Sequence, residues 1–76
     1  MPFVSVNVIE GVLSPAQKRQ VIEGVTDALV AVKGENFRQV VSVVIEEVKS
    51  GEWAIGGRPL TTADVEEIVA RPVEAP

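Results

Sequence analysis

Two apolar segments on either side of one amphipathic segment constrain the fold of this chain most strongly. Residues 2–9 read PFVSVNVI, where Ser5 and Asn7 alternate with apolar residues. This alternation is typical of a strand with one well-buried face. Residues 39–48 read QVVSVVIEEV and are rich in β-branched residues. Such a nearly continuous apolar run is typical of a strand buried on both faces.

The segment between these strands carries the signals of a single long helix. Ser14 is a suitable N-cap, Pro15 suits the first helical position, and Gln17 completes a capping box. Gly34 lies where a C-terminal cap belongs. Apolar residues at helical spacing predict one packed stripe, made of Val21, Ile22, Val25, Ala28, Leu29 and Val32. A strand, a helix and a second strand predict a β-α-β unit with parallel strands and a right-handed crossover.

The last third of the chain predicts shorter elements. Residues 49–59, KSGEWAIGGRP, suggest a turn, a short strand around 53–55 and a tight turn at Gly56-Gly57. Thr61 to Asp64 then resembles the start of a short second helix that ends by Arg71-Pro72. We expect the tail, residues 72–76, to be frayed. The whole chain, residues 1–76, is predicted to be a single α+β domain.

The apolar content is high for so short a chain and predicts self-association. Hydrophobic residues make up 46% of the 76 residues, although small domains bury a smaller share of their surface than large ones. Cysteine and histidine are absent, which excludes disulfides and a zinc site of the usual kind. Association of copies is the remaining way to bury this surface, so we expect a homo-oligomer.

The net charge and the hydropathy of the chain limit which binding partners and which cellular location are expected. A net charge of −4 and a pI of about 4.6 argue against a nucleic-acid-binding protein, which normally carries a basic patch. No apolar run is long enough to span a bilayer, and the N-terminus lacks the pattern of a signal peptide. A cytoplasmic location without membrane association is therefore expected.

Pro2 is the one group whose position suggests chemistry. Removal of Met1 would expose the proline nitrogen as a secondary amine. An α-amino group has a pKa of about 7.7–8.0, and burial in an apolar site would lower it. The free amine could then remove a proton next to a carbonyl near neutral pH. The alternative is that Pro2 only begins a strand, where its missing N–H is harmless.

Several motifs together resemble the 4-oxalocrotonate tautomerase family. These are MPFVSVNVIEG, SPAQKRQVI, and VVSVVIEEV followed by SGEWAIGGRPL, which cover about residues 2–62. The resemblance implies a β-α-β fold with a C-terminal β-hairpin, assembled as a hexamer or related oligomer. It also implies cofactor-independent interconversion of the enols and ketones of small 2-oxo acids, with the N-terminal proline as general base.

The resemblance transfers site residues only in part. Pro2 matches the catalytic proline, and Trp53 matches an aromatic residue of the apolar wall, although ordinary packing would also explain a tryptophan there. Val12 and Ser42 stand where the family has substrate-binding arginines. Paired arginine–carboxylate contacts are hard to replace, so we expect a monocarboxylate substrate, with Val12 beside Trp53 in the wall.

Two other arginines could hold the substrate carboxylate. Arg38 precedes the second strand, and Arg58 follows the Gly56-Gly57 turn, from which it could reach a neighbouring subunit's site. The alternatives are a solvated loop charge for Arg38 and a surface or interface ion pair for Arg58. No residue is predicted to bind a metal.

Keto–enol tautomerisation of a small 2-oxo acid is therefore the leading functional hypothesis. A second hypothesis is hydration or dehalogenation of small unsaturated acids on the same fold, with Glu46, Glu47 or Glu52 to activate water. A third is a non-catalytic subunit of a mixed oligomer, suggested by Val12 and Ser42 and by the possibility that Met1 is retained.

Overall fold

The computed structural model describes residues 1–73. The elements, in chain order, are β1 (Phe3–Ile9), α1 (Pro15–Lys33), a 3₁₀ helix (Glu35–Val40), β2 (Ser42–Val48), β3 (Trp53–Ile55), β4 (Arg58–Leu60) and α2 (Thr62–Ala70). The predicted α+β architecture is confirmed. Part of the tail that was expected to be frayed, residues 74–76, lies outside the described residues.

Two separate two-stranded sheets organise the chain. β1 and β2 are parallel, with Phe3 opposite Ser42 and Ile9 opposite Val48. β3 and β4 form an antiparallel hairpin in which Trp53 is opposite Leu60. The parallel β-α-β unit and the C-terminal hairpin are both as predicted.

The ends of α1 follow the sequence signals. The Ser14 hydroxyl accepts the Gln17 N–H at 3.1 Å, and the Gln17 side-chain oxygen accepts the Ser14 N–H at 2.9 Å. This reciprocal capping box satisfies two donors that the first turn would otherwise leave free. Gly34 ends the helix with φ +102°, and its N–H donates to the Val30 carbonyl at 2.7 Å.

The second strand begins later than predicted. Residues 39–41 were expected in the strand, but the chain first forms a 3₁₀ helix and β2 starts only at Ser42. Local hydrogen bonds explain the difference, because Phe37 N–H donates to the Gly34 carbonyl at 3.0 Å and Arg38 bonds to Glu35 at 2.8 Å. These short-range contacts override the β propensity of Val40.

One face of the β1–β2 sheet is half-buried and the other lies open. The half-buried side chains include Val4, Val6, Val43 and Ile45, whereas the residues that alternate with them, from Phe3 to Asn7 and from Ser42 to Glu46, are exposed. The prediction that β2 is buried on both faces is therefore wrong for a single chain, because no second layer covers the other face.

The packed side of α1 also differs from the predicted stripe. Val30 is only 8% exposed, whereas Val32, which was placed in the stripe, is 86% exposed. Val21, Val25 and Leu29 are half-buried, as the stripe predicts. The buried face is thus rotated around the helix towards Val30.

Very little of the chain is buried within one copy. Among the described residues only Ile9 and Val30 are buried, and both keep some exposure, whereas Phe3, Ile55 and Val69 are each about 67–70% exposed. The Cα radius of gyration is 15.3 Å, whereas a compact chain of this length would have about 11 Å. A single copy therefore leaves a large apolar surface in contact with solvent.

A salt bridge between α1 and β2 makes folding stability depend on pH. Lys18 Nζ lies 2.9 Å from Glu47 Oε1, and this hydrogen bond lowers the pKa of Glu47. Because the folded-state pKa lies below the unfolded value of about 4.3, the stabilisation is present above that pH and is lost as the pH falls through the folded-state pKa. We expect Glu47→Gln to lower the melting temperature slightly at pH 7 and to have a smaller effect at pH 3.

Thermal unfolding followed by circular dichroism at both pH values measures this difference. Glu46→Gln is the matched control, because Glu46 lies on the opposite face of β2 and makes no salt bridge within the described residues. A gap between the wild type and Glu47→Gln that stays the same at pH 3 would contradict the assignment.

Candidate active site

Pro2 lies at the N-terminal edge of the parallel sheet. Its carbonyl accepts the Ser42 N–H at 3.0 Å, which fixes the proline backbone to the first residue of β2. Pro2 is half-buried, and Met1 before it is 91% exposed. The proline nitrogen is therefore held in a defined place, next to a residue that an aminopeptidase could reach.

Arg38 lies close to the same edge but is already engaged. Its Nε donates to Glu35 Oε1 at 2.8 Å and its Nη1 donates to Asp27 Oδ1 at 3.0 Å. These bonds raise the pKa of Arg38, and the bond to Arg38 lowers the pKa of Glu35. A substrate carboxylate would therefore share the guanidinium with two protein carboxylates that already partly neutralise its charge.

An apolar cavity of about 260 Å³ lies at the opposite end of β1. Val12 and Trp53, the two residues expected in an apolar wall, both line it. Most of the remaining lining is also aliphatic, and the full set is Asn7, Val8, Ile9, Val12, Trp53, Leu60 and Val65. The cavity contains no charged side chain and one amide, so its chemistry favours an apolar group.

Leu60 and Val65 were not identified as site residues from the sequence. Leu60 enters the cavity because it is opposite Trp53 in the hairpin, and that register depends on the turn at Gly56-Gly57. Val65 belongs to α2, where Val65, Ile68 and Val69 recur at helical spacing and predict an apolar face. Helical spacing shows that such a face packs against something, but it does not show against what.

A polar network attaches the start of α2 to the turn after β1. Thr62 Oγ1 donates to the Glu10 carbonyl at 2.6 Å, and Thr62 N–H donates to Ser50 Oγ at 2.9 Å. Ser50 N–H in turn donates to Glu10 Oε1 at 3.2 Å. Gly11 permits the approach, because a Cβ there would lie 3.3 Å from the Thr62 methyl and its φ is +81°. This network places Val65 over the cavity.

Arg58 lies in a second, more polar cavity of about 460 Å³ between the hairpin and α2. Both cavities share Leu60. Arg71, at the end of α2, also lines the second cavity and bonds to Glu67 at 2.9 Å. Arg58 makes no salt bridge to another described residue. It is therefore the less engaged of the two candidate anchors.

Asp64 in this second cavity is held by the start of α2. Its side chain accepts the Thr61 N–H at 2.9 Å, and its own N–H donates to the Thr61 hydroxyl at 3.1 Å. These bonds lower the pKa of Asp64, and the charge of Arg58 contributes in the same direction. The carboxylate thus caps the helix, and its electrostatic interaction with Arg58 is weaker and acts over a longer distance.

The candidate site residues therefore form two groups at opposite ends of β1. Pro2, Ser42 and Arg38 lie near its beginning, whereas Val12 and Trp53 lie near its end. The strand has seven residues, and at about 3.3 Å per residue the groups are about 23 Å apart. Within one chain, no small substrate could contact both groups.

The carboxylates considered for water activation are dispersed. Glu47 is paired with Lys18, and Glu46 and Glu52 are exposed.

Within residues 1–73, no three acidic side chains are grouped so that they could hold a metal ion. The helices in this part of the chain are also too short or too polar to cross a membrane.

Comparison with known proteins decides the family. Residues 2–63 match the model of a family described as tautomerase enzyme. The chain belongs to the tautomerase family. It is accordingly an isomerase, and the resemblance noted in its sequence motifs is confirmed.

Individual relatives agree with this assignment. A probable tautomerase of Dickeya dadantii is 41% identical over 61 residues, which cover 80% of this chain and 90% of that protein. A 2-hydroxymuconate tautomerase of Bacillus subtilis is 36% identical over 61 residues, covering 80% of this chain and 95% of that protein.

Solved structures confirm the fold. A 4-oxalocrotonate tautomerase isozyme of Methylibium petroleiphilum superposes with a TM-score of 0.67 at 36% identity, covering 84% of this chain and 97% of that one. A 4-oxalocrotonate tautomerase homologue of the tomaymycin biosynthetic pathway gives a TM-score of 0.70 at 28% identity, covering 91% of this chain and 97% of that one.

Removing the Thr62 hydroxyl should loosen α2 without unfolding the protein. Thr62→Val keeps the shape but loses the bond to Glu10 and leaves that carbonyl without its partner. We expect a loss of about 1 kcal/mol in the free energy of unfolding and a shift in tryptophan emission, since Trp53 is the only tryptophan and lines the cavity that α2 covers.

Denaturant titration and emission spectra measure the two effects. Thr26→Val is the matched control, because it removes a hydroxyl bond of 2.8 Å to the Ile22 carbonyl inside α1. Its emission spectrum should equal that of the wild type. An unchanged spectrum for Thr62→Val would show that the network does not position the cavity.

Proposed function

We propose that this tautomerase interconverts the keto and enol forms of a small 2-oxo monocarboxylic acid without a cofactor, and that Pro2 is its general base. The position of Pro2 carries the proposal. The family match begins at this residue, and hydrogen bonding to Ser42 holds it at the open edge of the sheet. Once Met1 is removed, the secondary amine would transfer a proton between the enol oxygen and C3 of the substrate.

The separation of the two residue groups supports a site shared between subunits. Pro2 and Trp53 lie at opposite ends of β1, too far apart for one small substrate. Two copies packed so that Pro2 of one approaches the Trp53 cavity of the other would bring these groups together. In that arrangement the apolar cavity would disfavour the charged amine and lower the pKa of the proline.

The exposed apolar surface supports the homo-oligomer that such a site requires. Within residues 1–73, one copy has a two-residue core and an open sheet face. A lone hairpin with three-residue strands is also unstable by itself. Burial of these surfaces against further copies would supply the missing core. We favour a hexamer, as the resemblance to 4-oxalocrotonate tautomerases implies.

We assign the substrate carboxylate to Arg58 in preference to Arg38. Arg58 has no described salt-bridge partner and lies beside the Trp53 cavity, whereas Arg38 is held by Glu35 and Asp27. With Val12 in the apolar cavity and Ser42 at the Pro2 edge, neither position supplies a second cation. A second carboxylate on the substrate would therefore have no partner, which favours a monocarboxylate.

Substitution of the proline tests the chemistry directly. We expect Pro2→Ala to slow ketonisation of phenylenolpyruvate by about 10²–10⁴-fold, the usual contribution of a general base. The assay follows loss of enol absorbance after intact mass has shown that Met1 is absent. Pro72→Ala, in the exposed segment after α2, is the control and should retain full activity.

A wild-type protein extended by one residue before Pro2 should be as inactive as Pro2→Ala, because its proline nitrogen is an amide. Equal rates for Pro2→Ala and the wild type would overturn the role of Pro2. A folded protein with a free Pro2 and no rate above buffer would instead support the non-catalytic subunit.

Mixing two defective chains tests whether the site is shared. Pro2→Ala and Trp53→Ala chains, each impaired alone, should regain activity when they are refolded together, because some sites then combine an intact Pro2 with an intact Trp53. Size-exclusion chromatography with light scattering would confirm the mixed oligomer. Activity equal to the mean of the two separate variants would show that each site lies within one chain.

A further inference from the structure

The helix α2 contributes Val65 to the candidate site, although Val65 lies just beyond the segment that matches the family. The family match ends at residue 63, whereas α2 spans Thr62–Ala70. The network of Glu10, Ser50 and Thr62 fixes the first turn of this helix to the end of β1. Val65 follows directly in that first turn, so its position in the wall of the apolar cavity is well defined.

The cavity is matched to an uncharged group of the size of an aromatic ring. Its volume is about 260 Å³, and an apolar cavity of about 150 Å³ is known to hold benzene. The walls are aliphatic except for the Trp53 indole and the Asn7 amide. A carboxylate placed there would lose its hydration without gaining a cation, which is strongly unfavourable.

We propose that this cavity is the subsite for the substrate side chain and that Val65 is a specificity-determining residue. The substrate class is then a 2-oxo monocarboxylic acid, or its enol, with an aromatic or branched aliphatic group on C3. This assignment rests on the proposed tautomerase function, because Pro2 of a neighbouring copy must reach C3. The side chain enters between Trp53 and Val65, and the charged end stays outside, towards Arg58.

The position of Leu60 between the two cavities suggests the orientation in which the substrate binds. Leu60 lines both cavities, so the apolar cavity and the Arg58 cavity share this side chain as a common wall. In the proposed arrangement the apolar group of the substrate lies in the first cavity, and its carboxylate lies on the other side of Leu60, towards Arg58. The reverse orientation would bury the charge beside Val12 and Val65.

Proton exchange at C3 measures the preference among substrates. We expect phenylpyruvate to exchange its C3 hydrogens in D₂O with a higher kcat/KM than pyruvate, and pyruvate with a higher value than the dicarboxylate 2-oxoglutarate. Val65→Ala should reduce the phenylpyruvate to pyruvate ratio of kcat/KM by about tenfold, the usual effect of small volume changes in an apolar pocket. The loss should appear mainly in KM for phenylpyruvate.

Two further variants keep the result independent of folding defects. Val65→Ile fills the cavity conservatively and should also lower the ratio, while Val65→Arg should raise the relative rate on 2-oxoglutarate by adding a cation. Val69→Ala is the control on the same helix, because Val69 is 70% exposed and does not line the cavity. A ratio that is unchanged in Val65→Ala and Val65→Ile overturns the subsite.

Binding to Trp53 separates failure of the subsite from failure of the proposed function. In Pro2→Ala protein, phenylpropionate should change the tryptophan emission at concentrations where propionate does not, and Val65→Ile should weaken this effect. No response to phenylpropionate overturns the subsite. A response in Pro2→Ala, combined with no proton exchange by wild-type protein with a free Pro2 on any substrate, supports the subsite and overturns the tautomerase chemistry. Dissociation of the oligomer in Val65 variants, with substrate preference unchanged, would show that a second copy fills the cavity.

Discussion

The parallel pairing of β1 with β2 is the constraint on which the rest of the structure depends. Parallel strands bring their beginnings to one edge of the sheet and their ends to the other. Pro2 and the first residue of β2 are therefore neighbours, joined by the Ser42 hydrogen bond. The same pairing sends the Glu10 turn, the hairpin and α2 to the far edge. The candidate base and the apolar cavity are thus separated by the length of a strand, and this separation favours a shared site.

The small hydrophobic core of one copy also follows from the pairing of only two strands, β1 and β2. A two-stranded sheet with one helix can cover only one of its faces, so the alternate side chains of β1 and β2 remain open to solvent. The hairpin does not extend this sheet but forms a second one. Stability and active-site assembly would then be linked, because the contacts that bury the open surface would be those that bring Pro2 to the cavity.

The far edge of the sheet shows how polar contacts position an apolar site. The Glu10, Ser50 and Thr62 bonds contribute little apolar burial, yet they attach the first turn of α2 to the end of β1 and so place Val65 near Trp53. Gly11 makes this possible, since a side chain there would press on the Thr62 methyl. The chemical character of the cavity then follows from Val12 and Val65, which leave it without a cation.

The sequence by itself determined the local elements of this protein. The capping signals at Ser14, Pro15 and Gln17, the Gly34 helix end and the Gly56-Gly57 turn depend on neighbouring residues, so they could be predicted, as could the family. Only the tertiary structure decided the rest. It ended the 3₁₀ helix before Ser42, turned α1 towards Val30, engaged Arg38 with Asp27 and Glu35, and brought Val65 to Trp53. These outcomes depend on contacts between residues distant in the chain, or on competition between local contacts and β propensity, which periodicity and residue type do not encode.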